Sequence, residues 1–376
     1  MPYQDRPPLP AGTRTLPAAA YTDPERFARE LDRIHGRIWL CAGRAEELLS
    51  TGDYFLRRVG AARVIVVRGD GGRIHAFHDS CRHRGTTLVE EDCGAFGGRI
   101  QCPYHGWTYG LDGRLLSALH MDGAPGFRLE DFPLRRVATG EWDGHVFINL
   151  AEDPAPLAQH LADLPEKFRP WGMEELRRVE RTVYDVAANW KLIVQNFSEC
   201  LHCPFAHPQL QRYSHYLSGV NEPARPTYLG GRMELKPGVS TLSSSGDAER
   251  PPLPGLSAEH LRQIHFYAVL PNLLLSLHPD YMLTCTLWPK GVDRTEIRCE
   301  WHFHPDEIRR PGFDPTGAIE FWDLTNRQDW KLSERAQEGI ASRGYLPGPY
   351  SNREELLLAL DRIVEEKLRD PGPGAT

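Results

Sequence analysis

The chain has 376 residues, with 44 Lys and Arg against 51 Asp and Glu and a formal net charge of −7. That acidic balance argues against a nucleic acid or an anionic membrane as partner, since both are held through excess Lys and Arg. No apolar run approaches the ~20 residues a bilayer span needs, and the polar, Pro-rich start carries no secretory segment, so the expected location is cytoplasmic. In such a chain the eight cysteines are expected to be reduced thiols or metal ligands rather than disulfides.

In chain order, Asp23-Pro24 is a helix-start signal, and residues 23–40 carry apolar positions at helical spacing. Residues 1–40 are therefore read as a helical segment. From Gly52 to Leu150 the pattern changes to short β-rich runs, with RGDGGR and LDGR as hairpin turns, which predicts a small antiparallel domain over 41–152. A Pro-punctuated stretch at 151–171 marks the boundary. The second domain, 153–376, begins with a strand at 182–190 that runs into a helix near 191–200. It continues with a Ser/Pro/Gly-rich loop at 237–258, long enough for a lid or an unstructured segment. Three or four strands then fill 264–304, and helices follow at 316–342 and 352–368. Strands followed by long helices predict an α+β fold.

Two short clusters carry the first chemistry: Cys81-Arg82-His83 and Cys102-Pro103-Tyr104-His105. Each sits on a loop between strands and offers one sulfur and one nitrogen. A structural zinc site uses the same ligand set. Pairing one thiolate with one imidazole per loop suits a two-iron cluster, with both cysteines on one iron and both histidines on the other. Neutral imidazoles in place of two thiolates raise the reduction potential. Cys81-Arg82-His83-Arg84-Gly85 and Cys102-Pro103-Tyr104-His105-Gly106-Trp107 resemble the two halves of the Rieske 2Fe–2S motif.

The second constellation is Glu199-x-x-His202-x₄-His207. On a helix, two histidines at this spacing can converge on one ion, and Pro204 and Pro208 predict a break that bends the second one inward. Two histidines and a distant carboxylate form the facial set that leaves non-haem Fe(II) open to oxygen. Asp323 and Asp329, both among apolar residues of the 316–342 helix, are the candidates for that acid.

With Asn189-Trp190-Lys191 ahead of it, this segment resembles the iron-binding region of the catalytic α subunit of Rieske non-haem iron oxygenases. The likeness spans about residues 20 to 345, and Asp329 matches the family's C-terminal ligand segment better than Asp323. The resemblance implies a catalytic domain of helix-grip type with the 1–40 segment packed on it. It implies a Rieske cluster on Cys81, His83, Cys102 and His105, and iron(II) on His202, His207 and Asp329. Asn196 and Glu199 become the candidate catalytic residues, with Glu199 bridging His202 to His105 of a neighbouring subunit in a head-to-tail homotrimer.

The chain has no Gly-rich dinucleotide fingerprint and no P-loop. By the same resemblance, electrons from NADH or NADPH would arrive through a separate flavin and iron–sulfur reductase. Many ring-hydroxylating members carry Asp where Glu199 stands. That departure, with the segments 278–289 and 299–305, is similar to the branch acting on glycine betaine, choline and carnitine.

The expected reaction is therefore O2-dependent N-demethylation of a small quaternary ammonium substrate. Phe266, Tyr281, Trp288 and Trp301 are candidates for an aromatic pocket, and a pocket with no carboxylate-binding Arg would count against a betaine. The alternatives are ring hydroxylation or O-demethylation of an aromatic acid, or a non-catalytic Rieske or zinc protein.

Overall fold

The computed structural model describes residues 6–248 and 250–369, in two compact units. One runs from His35 to Leu157; the other joins the chain up to Ile34 with Ala158 onward. The N-terminal helical segment thus belongs to the catalytic unit, and the boundaries fall a few residues from those expected at 40 and 152.

The 35–157 unit is antiparallel throughout. Its strands are β1 (Leu40–Arg44), β2 (Asp53–Val59), β3 (Ala62–Arg68), β4 (Ile74–His78), β5 (Cys93–Ala95), β6 (Arg99–Gln101), β7 (Thr108–Gly110), β8 (Leu115–Ser117), β9 (Arg136–Trp142) and β10 (His145–Asn149). Seven form a sheet in the order β1-β10-β9-β4-β3-β2-β5, and β6-β7-β8 form a smaller one. The predicted turns join β3 to β4 and β7 to β8. Ile65, Phe77, Ile100, Trp107 and Tyr109 are the centre of its core, each almost wholly buried.

The catalytic unit begins with α1 (Ala19–Thr22) and α2 (Pro24–Glu30). Asp23 caps α2, its Oδ1 accepting from the Glu25 backbone N–H at 2.9 Å. After α3 (Leu157–Leu161) and α4 (Leu164–Phe168), β11 (Arg177–Val186) runs into α5 (Trp190–Phe197), then α6 (Cys203–Ala206) and α7 (Pro208–Tyr213). The strands β12 (Val220–Asn221), β13 (Tyr228–Glu234), β14 (Gln263–Val269), β15 (Leu273–Leu277), β16 (Met282–Gly291) and β17 (Arg294–Phe303) follow, then α8 (Pro305–Ile308), α9 (Thr316–Ala341) and α10 (Glu355–Leu368). The seven strands make one antiparallel sheet, β11-β17-β16-β15-β14-β13-β12. Strand β15, four leucines and Ser276, is buried along its whole length.

Helix α9 buries Ala318, Phe321, Trp322, Thr325, Asn326, Trp330, Ser333, Gln337 and Ile340, the three-and-four spacing of a single face. Of its polar members, Thr325, Asn326 and Gln337 have partners, whereas Ser333 Oγ has none among the described residues. Asn326 donates to Cys299 Sγ at 3.3 Å, and Gln337 accepts the Asn189 backbone N–H at 3.0 Å.

Helix α5 is anchored by a buried ion pair. Lys191 Nζ lies 2.6 Å from Glu30 Oε2 of α2, and Trp190 Nε1 donates to the same oxygen at 2.9 Å. Gln195 on its far turn donates to Asp361 of α10 at 2.8 Å. The helix that leads into the site is therefore held by both ends of the chain.

Two expectations are corrected. The 237–258 loop is not loose: Tyr281 donates to the Leu242 carbonyl, and Arg250 pairs with the buried Asp280 at 2.8 Å. Packing against the turn at 278–281 decides what composition could not. Four cysteines also form disulfides, Cys200–Cys203 and Cys285–Cys299, leaving Cys41, Cys81, Cys93 and Cys102 as thiols. Cys285 and Cys299 face each other across β16 and β17, a register invisible to an argument from compartment.

Candidate metal centres

The two loops of the 35–157 unit repeat one turn. The Gly85 N–H donates to the Cys81 carbonyl at 2.9 Å and the Gly106 N–H to the Cys102 carbonyl at 3.1 Å. Both glycines have positive φ, 75° and 70°, which a side chain would strain, so each loop needs glycine four residues after its cysteine. The turns bring the His83 and His105 rings to 4.6 Å between centroids, with Trp107 stacked on His83 at 4.8 Å. Cys81 and Cys102 are buried, and the Tyr109 hydroxyl lies 3.2 Å from Cys81 Sγ. Burial pushes the Cys81 thiol up, an unfavourable state for a lone thiolate and an ordinary one for a metal-bound sulfur. His83 Nδ1 is buried without a hydrogen-bond partner among the described residues. A bare imidazole nitrogen beside two buried sulfurs and a second imidazole fits a 2Fe–2S cluster.

In the catalytic unit the helix breaks where the prolines demand. Pro204 and Pro208 each open a new helix, α6 and α7, with His202 and His207 at the two ends of α6. His202 Nδ1 lies 2.6 Å from Glu199 Oε1, and His207 Nδ1 lies 2.7 Å from Gln328 Oε1. Both oxygens accept, so both Nδ1 atoms donate and both Nε2 atoms are turned inward. Those inward nitrogens point at one oxygen: Asp329 Oδ1 is 3.2 Å from His202 Nε2 and 2.8 Å from His207 Nε2.

Lone pairs facing each other at that distance repel unless a positive charge sits between them. Burial would lower the His202 imidazole, but hydrogen bonds to Asp329 and Glu199 raise it to about 10. Burial would raise the Asp329 carboxyl, but His202 and His207 hold it below the usual carboxylate range. Donors bound to one ion at ~2.0–2.2 Å lie about 3 Å apart, as Asp329 Oδ1 does from each of the two histidine nitrogens. The donor set, two imidazole nitrogens and one carboxylate, fits iron(II) with positions left open.

Asp323 is elsewhere, accepting from Tyr184 OH at 2.6 Å and Arg327 Nε at 2.8 Å. Among the two acids only Asp329 faces the histidines.

Residues 38–132 match the Rieske 2Fe–2S domain, and residues 173–370 match the ring-hydroxylating α subunit catalytic domain. The glycine betaine monooxygenase oxygenase subunit of Pseudomonas aeruginosa is 32% identical, with 95% of this chain and 90% of that one covered. Its Chromohalobacter salexigens counterpart is 34% identical, over 92% and 83%. A crystal structure of the quaternary ammonium Rieske monooxygenase CntA superposes with a TM-score of 0.80 at 25% identity, covering 95% and 96% of the two chains. The chain belongs to the Rieske oxygenase α-subunit family. It is an oxidoreductase whose family carries a Rieske 2Fe–2S cluster and a mononuclear iron.

A cleft beside His202, His207 and Asp329 in this oxygenase is walled by Phe197, Phe266, Trp322, Leu210, Leu229 and Met233. Asn196 and Glu199 line it too, so both candidate catalytic residues are at the cleft. Phe266 is in the wall as expected, 6.1 Å from both Phe197 and Trp322 between ring centroids. The other three aromatic candidates are not. Tyr281 is one layer behind, where Trp322 Nε1 donates to its hydroxyl at 2.7 Å. Trp288 pairs with Glu296 and lies on the opposite face of the sheet from Cys285 and Leu287, while Trp301 is fully buried in the core away from the cleft. Alternation along β16 turns Trp288 to the other face, whereas Trp301 shares the face of Phe266 through Ser276 and Leu283 but stands three strands away from it; neither register nor strand order is written in composition.

Arg232 belongs to the same wall but pairs with His265, whereas its neighbour Gly231 pairs with Phe266. Its side chain therefore shares the face of His265, away from the cleft. Among the described residues lining the cleft, no arginine side chain is offered to a substrate carboxylate, which counts against a betaine by the criterion set from the sequence.

Trp322 and Gln328 were missed by sequence reasoning. Trp322 had a signal, an aromatic seven residues before Asp329 on one helical face. Gln328 had none: neighbours on a helix point about 100° apart, yet both it and Asp329 reach the His207 ring.

Proposed function

We propose that the chain is the terminal oxygenase of a multicomponent system that N-demethylates a small quaternary ammonium compound. The observation carrying the reading is the cleft: aromatic faces from Phe197, Phe266 and Trp322 beside His202, His207 and Asp329. A methylated ammonium is attracted to such faces by about 0.5–2 kcal/mol per contact. The names of the relatives, glycine betaine monooxygenase and carnitine monooxygenase, support the same class.

Because Arg232 faces away, recognition rests on the ammonium end. A carboxylate, where the substrate has one, would meet neutral groups such as Asn196, whose side chain has no hydrogen-bond partner among the described residues.

Iron held by His202, His207 and Asp329 would supply the reduction of O2 and the oxidation of a substrate C–H bond, and a cluster held by Cys81, His83, Cys102 and His105 would supply electrons singly. The protein's own part is positional. Glu199 and Gln328 hold the Nδ1 protons and so keep both Nε2 atoms turned inward. The aromatic walls hold an N-methyl group against that face and exclude water. Hydroxylation converts N–CH3 to N–CH2OH; the C–N bond then breaks, its electron pair leaves on the amine, and formaldehyde forms as the hydroxyl proton passes to solvent.

We further infer a flavin and iron–sulfur reductase as the electron source, and a head-to-tail homotrimer in which His105 of one copy meets Glu199 of the next. A coupled assay with a surrogate reductase tests the reaction. Quaternary ammonium compounds should give formaldehyde with O2 uptake; turnover of aromatic acids alone would overturn the reading. Gel filtration with light scattering at the mass of three chains tests the assembly.

A further inference from the structure

Resting on the reading of His202, His207 and Asp329 as a metal site, we propose that Cys203 is a conditional fourth ligand, withheld from the metal by its bond to Cys200. The two cysteines flank His202, and both are buried, at 8% and 3% exposure, while lining the cleft. Cys203 Sγ lies 3.9 Å from His202 Nε2, and donor atoms of His202, Cys203 and His207 all fall within 4.8 Å of one another. A tetrahedral zinc ion with N at ~2.0 Å and S at ~2.3 Å sets those atoms about 3.5 Å apart. Relative to His202 Nε2 the sulfur is therefore a few tenths of an ångström from ligating distance.

With the disulfide closed, this sulfur has no charge to offer, and the donors are two nitrogens and a carboxylate. Such a set leaves positions open. A dithiol reductant opens it: two electrons and two protons pass to the pair, the S–S bond breaks, two S–H bonds form, and the reductant leaves as its own disulfide. On metal entry Cys203 gives its proton to solvent and adds a thiolate. The set then becomes two nitrogens, one oxygen and one sulfur, a closed tetrahedron that suits zinc and leaves nothing open for oxygen. The redox state of Cys200–Cys203 thus selects which metal the site keeps.

The test uses full-length protein with its cluster assembled, stripped at the mononuclear site and offered equal zinc(II) and iron(II). Retained metals are counted per chain, and the zinc X-ray absorption edge reports sulfur in the zinc shell. Oxidised wild type should show no zinc–sulfur scatterer, whereas reduced wild type should show one and raise its zinc-to-iron ratio about tenfold. Cys200→Ser should behave as reduced protein without reductant, and Cys203→Ser should lack the scatterer even with it. Indifference of both the ratio and the scatterer to reductant and to Cys200→Ser would overturn the proposal while leaving the three-residue site standing. Metal retention unchanged in His207→Ala would instead overturn the site.

Discussion

Gln328 accepts the Nδ1 proton of His207 at 2.7 Å, and this one bond decides which nitrogen of the ring faces Asp329. Gln209 donates to the same Gln328 oxygen at 2.8 Å and to Thr325 Oγ1 at 3.2 Å, fixing the amide in turn. The imidazole is held from behind by neutral groups, as His202 is held by a charged one, Glu199.

Gln328→Leu should therefore weaken metal retention at the mononuclear site by about 10–100-fold, the usual cost of losing such an orienting partner. Metal analysis after dialysis against a chelator measures it. The visible spectrum of the cluster should not change, and retention equal to wild type would show that His207 needs no partner.

Asp329→Asn should abolish mononuclear metal binding, whereas Asp323→Asn should keep it. Asp323 serves Tyr184 and Arg327 on an outer turn of α9, so its loss should cost only ~1 kcal/mol of stability. Iron counts for both variants beside wild type settle the assignment.

Phe266→Leu should raise KM for a quaternary ammonium substrate by about 2–30-fold, the equivalent of one cation–π contact, with a smaller effect on kcat. A neutral isostere of the substrate carrying tert-butyl in place of trimethylammonium should lose its discrimination between the two proteins. Equal KM values for the charged substrate would exclude Phe266 as part of the recognition surface.

Glu30→Gln should destabilise the protein by about 3–5 kcal/mol, because it leaves Lys191 buried without its counter-charge. Burial lowers Lys191 to about 8 even with Glu30 beside it. Replacing both residues by apolar ones of similar size should recover much of the loss. Urea unfolding of the single and double variants gives the comparison.

Asp361 carries a pH signature. Burial raises its carboxyl to about 6, against the lowering effect of hydrogen bonds from Tyr350 and Gln195. An unfolded Asp ionises near ~3.9, so between about pH 4 and 6 the folded chain binds the extra proton and stability falls as pH rises. Above about pH 6 both states are ionised and the penalty is constant. Asp361→Asn should therefore gain on wild type by about 2–3 kcal/mol between pH 4 and pH 7, read from unfolding midpoints across that range. A difference independent of pH would refute the assignment.

Much of this molecule was legible because its chemistry is local. Cys81 to His83 and Cys102 to His105 each sit within one tight turn, and Glu199, His202 and His207 surround one short helix. Spacing points to such sites, and for His202 and His207 it did so only beside the resemblance to a known family. Helix α9 announced itself through its three-and-four apolar rhythm, and Asp329 stood out within it. What stayed hidden depends on long-range register. Which face Trp288 or Arg232 presents is set by pairing with β17 and β14, and a slip of one residue would reverse either answer. The anchoring of residues 237–258 on Asp280, and the approach of Cys285 to Cys299, are likewise products of the assembled sheet.

Because the 35–157 unit interrupts the other one in sequence, the two cannot mature together on the ribosome. The cluster-bearing unit has all its residues once Leu157 has emerged. Its host must wait: Glu30 needs Lys191, Gln195 needs Asp361, and Arg26 pairs with Glu365 at 2.6 Å. The oxygen-handling centre is thus completed only once Asp361 and Glu365 have been made, by which point the electron-relaying half already has every residue it needs to fold.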